Sequence, residues 1–213
     1  CKKVEVINDD YISVDGKKIR VFSTREPGEL KFADIGAEVV LECTGAFLTT
    51  EKSQVYINNG IKKVVMSAPA KDDTPTFVMG VNEKTYAGQD IISNASCTTN
   101  CLGPVAKILD DELGIEKGLM TTIHAYTHGQ SLVDVKGRDF RRSRAAACNI
   151  IPTSTGAAKA INLVLPQLKG KMHGQSVRVP VPNVSMVDLN VLTKKETTKD
   201  ELNEIFRTYQ NGA

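Results

Sequence analysis

Residues 90–114 read DIISNASCTTNCLGPVAKILDDELG. DIISNAS is strand-like, and CTTNCLGPVAKILDDELG reads as a helix with Pro104 early and Gly114 at its end. Cys97 therefore stands where a strand gives way to a helix, and the chain changes style there. Upstream, AEVVLECTG, ending in Gly45, is a short apolar strand suited to a sheet covered on both faces. TEKSQVYINNG follows as a polar-faced helix closed by Gly60. KKVVMSAPA, TFVMGVN and DIISNAS read as three more strands. Strands separated by short helices predict a mostly parallel α/β sheet. Nearer the start, YISV-DG-KKIRVF predicts two strands joined by a two-residue Asp15-Gly16 hairpin turn.

Downstream of Cys97, KGLMTTIHAYT is strand-like, and residues 128–144 form a polar, basic loop of the kind that carries function. TSTGAAKAINLVLPQLKG predicts a second helix. SMVDLNVLTKK alternates Met186, Leu189 and Val191 against polar positions, as a half-solvated strand would. A last helix starts at Thr198 with Glu201 three residues on, a capping box, and presents Leu202, Ile205 and Phe206 on one face.

The sequence has 213 residues, is 41% hydrophobic and 5% aromatic, and fits an ordinary globular chain with a real core. Lys plus Arg number 27 against 25 Asp plus Glu, a net charge of +2, which gives no support to a nucleic-acid or membrane-surface role. No apolar run approaches a membrane span, and CKKVEVINDD has no signal-peptide core, so a cytoplasmic protein is expected. The five cysteines (Cys1, Cys43, Cys97, Cys101 and Cys148) are odd in number and form no C-x-x-C pair, which predicts reduced thiols.

At a helix N-terminus the free N–H groups and the macrodipole favour an anion, so thiolate is expected to accumulate at Cys97. Ser96, Thr98 and Thr99 add hydroxyls at the same spot. Taken alone, Cys97 fits a small buried residue at a turn better than a nucleophile. His124, at the end of the strand in TTIHAYT, changes that balance, because a cysteine nucleophile needs a nearby base. Ser154, Thr155 and Gly156 precede a helix, an arrangement that cradles phosphate with N–H groups and hydroxyls, although taken alone it fits a plain N-cap better. The G-x-x-x-x-G-K-[ST] spacing of a P-loop is absent. Arg178, between apolar strand positions in VRVPVPNVS, needs a partner, and a phosphate or a carboxylate would both serve.

Two patterns point elsewhere. Cys97-x3-Cys101 with His124-x3-His128 mimics zinc spacing, but the gap is too long and the pairs sit on different element types, so no metal is expected. RDFRRSR, from Arg138 to Arg144, is too short and too poor in aromatics for a nucleic-acid patch.

ASCTTNC, TTIHAYT, NIIPTSTGAAKA and VRVPVPNVS together, in order and at this spacing, resemble the phosphorylating glyceraldehyde-3-phosphate dehydrogenase family of bacterial type, over essentially the whole chain. The resemblance implies an incomplete Rossmann-type NAD(P)-binding domain over residues 1–96. It implies an incomplete α+β catalytic domain with a mixed or antiparallel sheet over residues 97–213. It implies Cys97 as the nucleophile attacking the aldehyde carbon and His124 as the base. It places Ser96, Thr98, Thr127, Arg142, Thr155, Gly156 and Arg178 at two phosphate subsites, and Arg25, Thr44 and Ser67 near the cofactor.

The implied reaction converts glyceraldehyde 3-phosphate and inorganic phosphate to 1,3-bisphosphoglycerate through a thioester, with NAD or NADP as cofactor, in a homotetramer. No G-x-G-x-x-G occurs, so the first βαβ unit of a dinucleotide fold is not found, and an internal piece lacking both ends is expected. His128 stands where the family often has Asn, and Val135-Lys136 where NAD-preferring members often carry Leu-Pro, which leaves NAD and NADP both open. The competing readings are an erythrose-4-phosphate dehydrogenase and a non-catalytic binding fragment of the same family.

Overall fold

The structure is a computed structural model and describes residues 3–137 and 139–210. Cys1 and Arg138, both named above, lie outside the described residues.

Asp15 and Gly16 take positive φ of 49° and 79°, which matches a two-residue turn with the twist of a hairpin. They join β2 (Tyr11–Val14) to β3 (Lys17–Arg20), with Val14 opposite Lys17, and β1 (Val4–Asn8) pairs antiparallel with β2. Every residue of β1 is exposed.

The second sheet is parallel. β4 (Val39–Glu42), β5 (Lys63–Met66) and β6 (Ile91–Ser93) lie side by side in chain order. α1 (Thr50–Asn58) connects the first two; the Thr49 hydroxyl accepts from the Lys52 N–H at 3.2 Å, and Gly60, at φ 90°, ends the helix region. Val40, Tyr56, Ile61, Val64, Met66 and Ile91 form the core of this part.

TFVMGVN departs from expectation, since no strand forms there. Only Thr76 bridges to Ser93. The Asn82 side chain accepts from the Val78 N–H at 2.8 Å and donates to the Thr76 carbonyl at 2.9 Å, while Gly80 takes φ 75°. These bonds fold the segment into a turn that the apolar run does not announce.

The third sheet is mixed. α2 (Cys97–Leu113) leads into β7 (Ile115–Ala125), then β8 (Ile151–Thr153), α3 (Ala157–Val164), β9 (Met172–Val179), β10 (Ser185–Thr193) and α4 (Lys199–Thr208). The strand order is β10-β7-β9-β8, parallel between β7 and β9 and antiparallel elsewhere. Leu102, Ala106, Leu109 and Leu113 of α2 and Ile161 and Val164 of α3 meet Met120 and Met172 of the sheet in the main core. Each fully buried Leu, Ile or Met contributes roughly 1.5–3 kcal/mol of transfer free energy. Leu202, Ile205 and Phe206 of α4 pack against that core as expected, and Thr198 and Glu201 form the reciprocal capping box. A Cβ on Gly118 would lie 2.3 Å from Met172 Sδ, so a side chain there would require the Met172 thioether to move aside.

Two details are corrected. α3 stops at Val164 because Pro166 starts a separate 3₁₀ turn. On β10 the residues packed inward are Val187, Leu189 and Val191, while Met186 is 61% exposed. The period-2 face thus begins one residue later than the loose alternation suggested. Among the described residues, no helix is long and apolar enough to cross a membrane.

Candidate active site

The carboxyl ends of the parallel strands give way to the turns that carry the candidate residues. β6 ends at Ser93, and two residues on Ala95 takes φ 58° although it is not glycine. A left-handed alanine is a small store of strain, held here by burial (2% exposed) and by its N–H donating to Ser93 Oγ at 3.1 Å. The turn delivers Ser96 as the N-cap of α2, its hydroxyl accepting from the Thr99 N–H at 3.1 Å. Cys97 is therefore the first helical residue, exposed, at the positive end of a 17-residue helix.

β7 ends where His124 faces that residue. His124 Nε2 lies 3.4 Å from Cys97 Sγ, although the two are 27 positions apart. The other ring nitrogen, Nδ1, lies 2.7 Å from the Ala125 carbonyl oxygen and 2.8 Å from Arg178 Nη1. Arg178 also donates to the Ala125 carbonyl at 2.9 Å and to the Thr127 hydroxyl at 3.4 Å. Burial first, and the nearby Arg142 cation second, hold the Arg178 guanidinium below its ordinary value, while Cys97 acts in the opposite sense. Two guanidinium groups near one another and near a sulfur make a site that attracts anions.

Ser96, Cys97, Thr98, His124, Thr155, Gly156 and Arg178 all line one cleft of about 150 Å³. Gly156 is the N-cap of α3, and the Thr155 hydroxyl accepts from the Ala157 N–H at 3.2 Å. The two other residues expected at phosphate subsites stand beside this lining. Thr127 reaches it through Arg178, and Arg142 is held by paired N–H donors to Thr153 Oγ1. Thr122, Ser176 and Pro69 also line the cleft and were not singled out in the sequence. The two hydroxyl residues look there like any strand positions. Val184, a β-branched residue at φ 67°, lines an adjoining cavity with Cys97 and Cys101.

The residues expected near the cofactor are arranged less tightly. Thr44 follows β4 and is fixed by Glu42, a buried carboxylate that accepts from the Thr44 N–H at 2.6 Å, from its hydroxyl, and from the Tyr56 phenol at 2.8 Å. Burial and this carboxylate push the Tyr56 phenol well above its ordinary value. Ser67 follows β5 and donates its hydroxyl to the Glu42 carbonyl at 3.0 Å. Both turns sit at the carboxyl ends of parallel strands, where open α/β sheets bind ligands. Gly45, at φ 75°, has open space around its missing Cβ, so a flat group can approach the backbone there. These features fit a dinucleotide. Arg25 lies exposed in a loop and makes no ion pair among the described residues. No group of three His, Cys, Asp or Glu that could hold a metal occurs among the described residues.

Fold and site together define a protein with a cysteine–histidine pair in an anion-attracting cleft, beside a parallel sheet of dinucleotide-binding character. Comparison with known proteins narrows this. Residues 96–213 match the glyceraldehyde 3-phosphate dehydrogenase C-terminal domain, and residues 2–50 match the glyceraldehyde 3-phosphate dehydrogenase NAD binding domain. The chain is 55% identical to the chloroplastic glyceraldehyde-3-phosphate dehydrogenase GAPB of Arabidopsis thaliana, over 99% of this chain and 48% of that protein. It is 52% identical to the glyceraldehyde-3-phosphate dehydrogenase of Pseudescherichia vulneris, over 97% of this chain and 71% of that sequence. With glyceraldehyde-3-phosphate dehydrogenase 2 of Streptomyces avermitilis the identity is 54%, over 99% of this chain and 64% of the relative.

The chain belongs to the glyceraldehyde-3-phosphate dehydrogenase family, whose fold is a Rossmann-like NAD-binding domain followed by a catalytic domain. It spans about half the length of the chloroplastic relatives it matches.

Proposed function

We propose that this chain carries the catalytic centre of a phosphorylating glyceraldehyde-3-phosphate dehydrogenase, with Cys97 as nucleophile and His124 as base. The observation that carries the reading is the 3.4 Å approach of Cys97 Sγ to His124 Nε2 inside a cleft lined by hydroxyls, a helix N-terminus and Arg178. Cys97 Sγ adds to the aldehyde carbon of glyceraldehyde 3-phosphate, forming a C–S bond as the C=O π bond opens, and the thiol proton passes by way of His124 to the carbonyl oxygen, which becomes a hydroxyl. Thr44, Ser67 and Arg25 would hold NAD or NADP, which would supply the acceptor for the hydride on that carbon. His124 Nε2 takes the hydroxyl proton as the hydride leaves, and Cys97 is left as a thioester. An oxygen of inorganic phosphate then attacks the thioester carbon, the C–S bond breaks, and Cys97 leaves as thiolate.

To accept a proton at Nε2, His124 must carry its other proton on Nδ1, donated to the Ala125 carbonyl. Arg178 has only donors to offer, so in that tautomer it turns from Nδ1 toward an anion. Arg142, Thr127 and Arg178 on one side and Ser96, Thr98, Thr155 and Gly156 on the other are the two phosphate-binding groups of this reading. Thr44, Ser67 and Arg25 face the cofactor, and the domain boundary falls at residues 96 and 97.

A homotetramer fits the exposed apolar side chains. Leu132, Val133 and Phe140 in the 128–144 loop are 73%, 65% and 86% exposed, and Leu119, Met186 and Leu192 on the open face of the mixed sheet are 54%, 61% and 56% exposed. Patches of this kind mark contact surfaces. The four described cysteines are all unpaired, which suits a reducing compartment such as the cytoplasm.

Iodoacetamide is the first test: in the complete protein Cys97 is expected to be alkylated well ahead of Cys101 and Cys148 at neutral pH. Equal labelling of the three, or a Cys97→Ser variant that keeps dehydrogenase activity, would overturn the assignment. Faster turnover of erythrose 4-phosphate than of the triose would move the substrate to the four-carbon aldehyde.

A further inference from the structure

The pairing of β10 with β7 ends with Ser185 opposite His124. Directly opposed residues of an antiparallel pair present their side chains to the same face. There the Ser185 hydroxyl accepts from the Ala125 N–H at 3.2 Å. The residue before it stops the ladder, because Val184 takes φ 67°, a left-handed conformation that a β-branched side chain rarely tolerates. Val184 is 82% exposed, so burial in the core does not hold it there. Backbone strain persists where the surroundings over-determine a geometry, and it gathers at functional sites. Here the strained residue delivers Ser185, and both line the cavity of about 290 Å³ that also reaches Cys97.

Ala125 is the residue against which the imidazole rests. Its carbonyl lies 2.7 Å from His124 Nδ1 and accepts from Arg178 Nη1 at 2.9 Å. Its N–H belongs to the peptide unit joining His124 to Ala125, and that unit is the one Ser185 holds. The next unit is held by the Tyr126 N–H, which donates to the Val181 carbonyl at 3.2 Å. The segment leading into β10 therefore clamps both peptides that flank Ala125. From α2 the imidazole meets Cys97, from β9 Arg178, and from β10 the uncharged Ser185. These neighbours behave differently during turnover. Arg178 can only donate, so it must leave Nδ1 when His124 acts as base. Ser185 carries no charge for an anion to draw away, and its bond to Ala125 remains.

We propose that Ser185 is a positioning residue for the base. Its hydroxyl, mounted by the left-handed Val184, pins the His124–Ala125 peptide so that the Ala125 carbonyl keeps the Nδ1 proton and Nε2 keeps facing Cys97 Sγ. The proposal rests on the reading of Cys97 as nucleophile and His124 as base. Ser185 acts through the backbone of its neighbour and transfers no proton itself. Without the hydroxyl, both reacting side chains remain, but the imidazole samples a wider range of angles. The loss then falls on the steps in which His124 moves a proton, and not on binding.

The test uses the complete protein with Ser185→Ala and, separately, Ser185→Thr, which restores the acceptor. Ser185 is exposed, so neither change disturbs the core, and thermal melting checks that each variant is folded. Single-turnover hydride transfer at saturating aldehyde and NAD is expected to fall roughly five- to twentyfold in Ser185→Ala. It should return to within about twofold of wild type in Ser185→Thr, while the KM values for aldehyde and phosphate change less than about twofold in both. With no cofactor added, the pH midpoint for iodoacetamide labelling of Cys97 should rise in Ser185→Ala, because a loosened His124 supports the thiolate less well. Hydride transfer unchanged in Ser185→Ala, or no recovery in Ser185→Thr, would overturn the proposal. A loss confined to KM would also overturn it, because the hydroxyl would then serve binding. Equal labelling of Cys97, Cys101 and Cys148 in the wild-type protein would instead remove the underlying reading, an outcome distinct from the others.

Discussion

His124 Nδ1 stands between two groups that ask opposite things of it. The Ala125 carbonyl accepts a proton and the Arg178 guanidinium donates one, at 2.7 and 2.8 Å. Arg178 also donates to that carbonyl at 2.9 Å. While Arg178 points at Nδ1, its N–H donor calls for the imidazole proton on Nε2, facing the Cys97 sulfur, and the carbonyl is left to accept from Arg178. Base catalysis then requires the opposite tautomer, with Arg178 engaged elsewhere. His124→Asn removes the base and preserves a donor; turnover is expected to fall by roughly 10²- to 10⁴-fold, and a smaller loss in single-turnover hydride transfer would show that the proton goes to another group. Cys97 and His124 were legible in the sequence because a thiol before a helix and a histidine at a strand end are each scarce and each chemically marked. Thr122 and Ser176 were not, since a hydroxyl at a strand position acquires meaning only when its neighbour across the sheet is known. The left-handed Ala95 and Val184 were equally hidden, because neither residue type advertises positive φ.

Among the elements, α4 shows how completely a local rule can act. Thr198 Oγ1 accepts from the Glu201 N–H at 3.3 Å, and Glu201 Oε2 accepts from the Thr198 N–H at 2.8 Å. Thr198→Ala is expected to cost about 1 kcal/mol, read as a lower denaturation midpoint. The hydrogen bonds from Thr198 hold the Glu201 carboxyl below its ordinary value. A depressed carboxyl stabilises the fold above its unfolded value of about 4.3, and that contribution disappears as pH falls through the lower, folded value. Glu201→Ala should therefore be less stable than wild type at neutral pH and converge with it in acid, and a difference independent of pH would show that the carboxylate is not the cause. The same locality made the Asp15-Gly16 hairpin readable in advance. TFVMGVN misled for the converse reason: its conformation is set by Asn82 reaching back to Thr76 and Val78, and apolar content alone does not report that bond.

On the scale of the whole molecule, the three sheets differ sharply in how much they bury. The mixed sheet and the helices over it hold Leu102, Ile115, Met120, Ile161 and Leu168 at 0% exposure. In the β1–β3 meander, Ser13 alone is buried. Small antiparallel sheets with so little apolar cover open readily. Amide exchange should be fastest across residues 4–20 and slowest in α2 and β7; protection of the meander equal to that of β7 would mean that another surface covers it. The order β10-β7-β9-β8 was not legible in the sequence beyond its mixed character, because no local signal says which distant strand lies next to β7.

That parallel pairing has a consequence in time. His124 and Arg178 touch across 54 positions of chain, and the intervening crossover must close before β9 can register on β7. Loop closure costs entropy before any contact repays it, so such pairings form late and slowly. Cys97, by contrast, needs only the β6–α2 junction to reach its helix end. A refolding molecule is thus expected to set its sulfur at a helix terminus before it acquires the partners that direct it. If β9 registers last, as that cost predicts, the thiol would spend an interval unguided during synthesis and recovery from stress, open to whatever oxidant or electrophile reached it first.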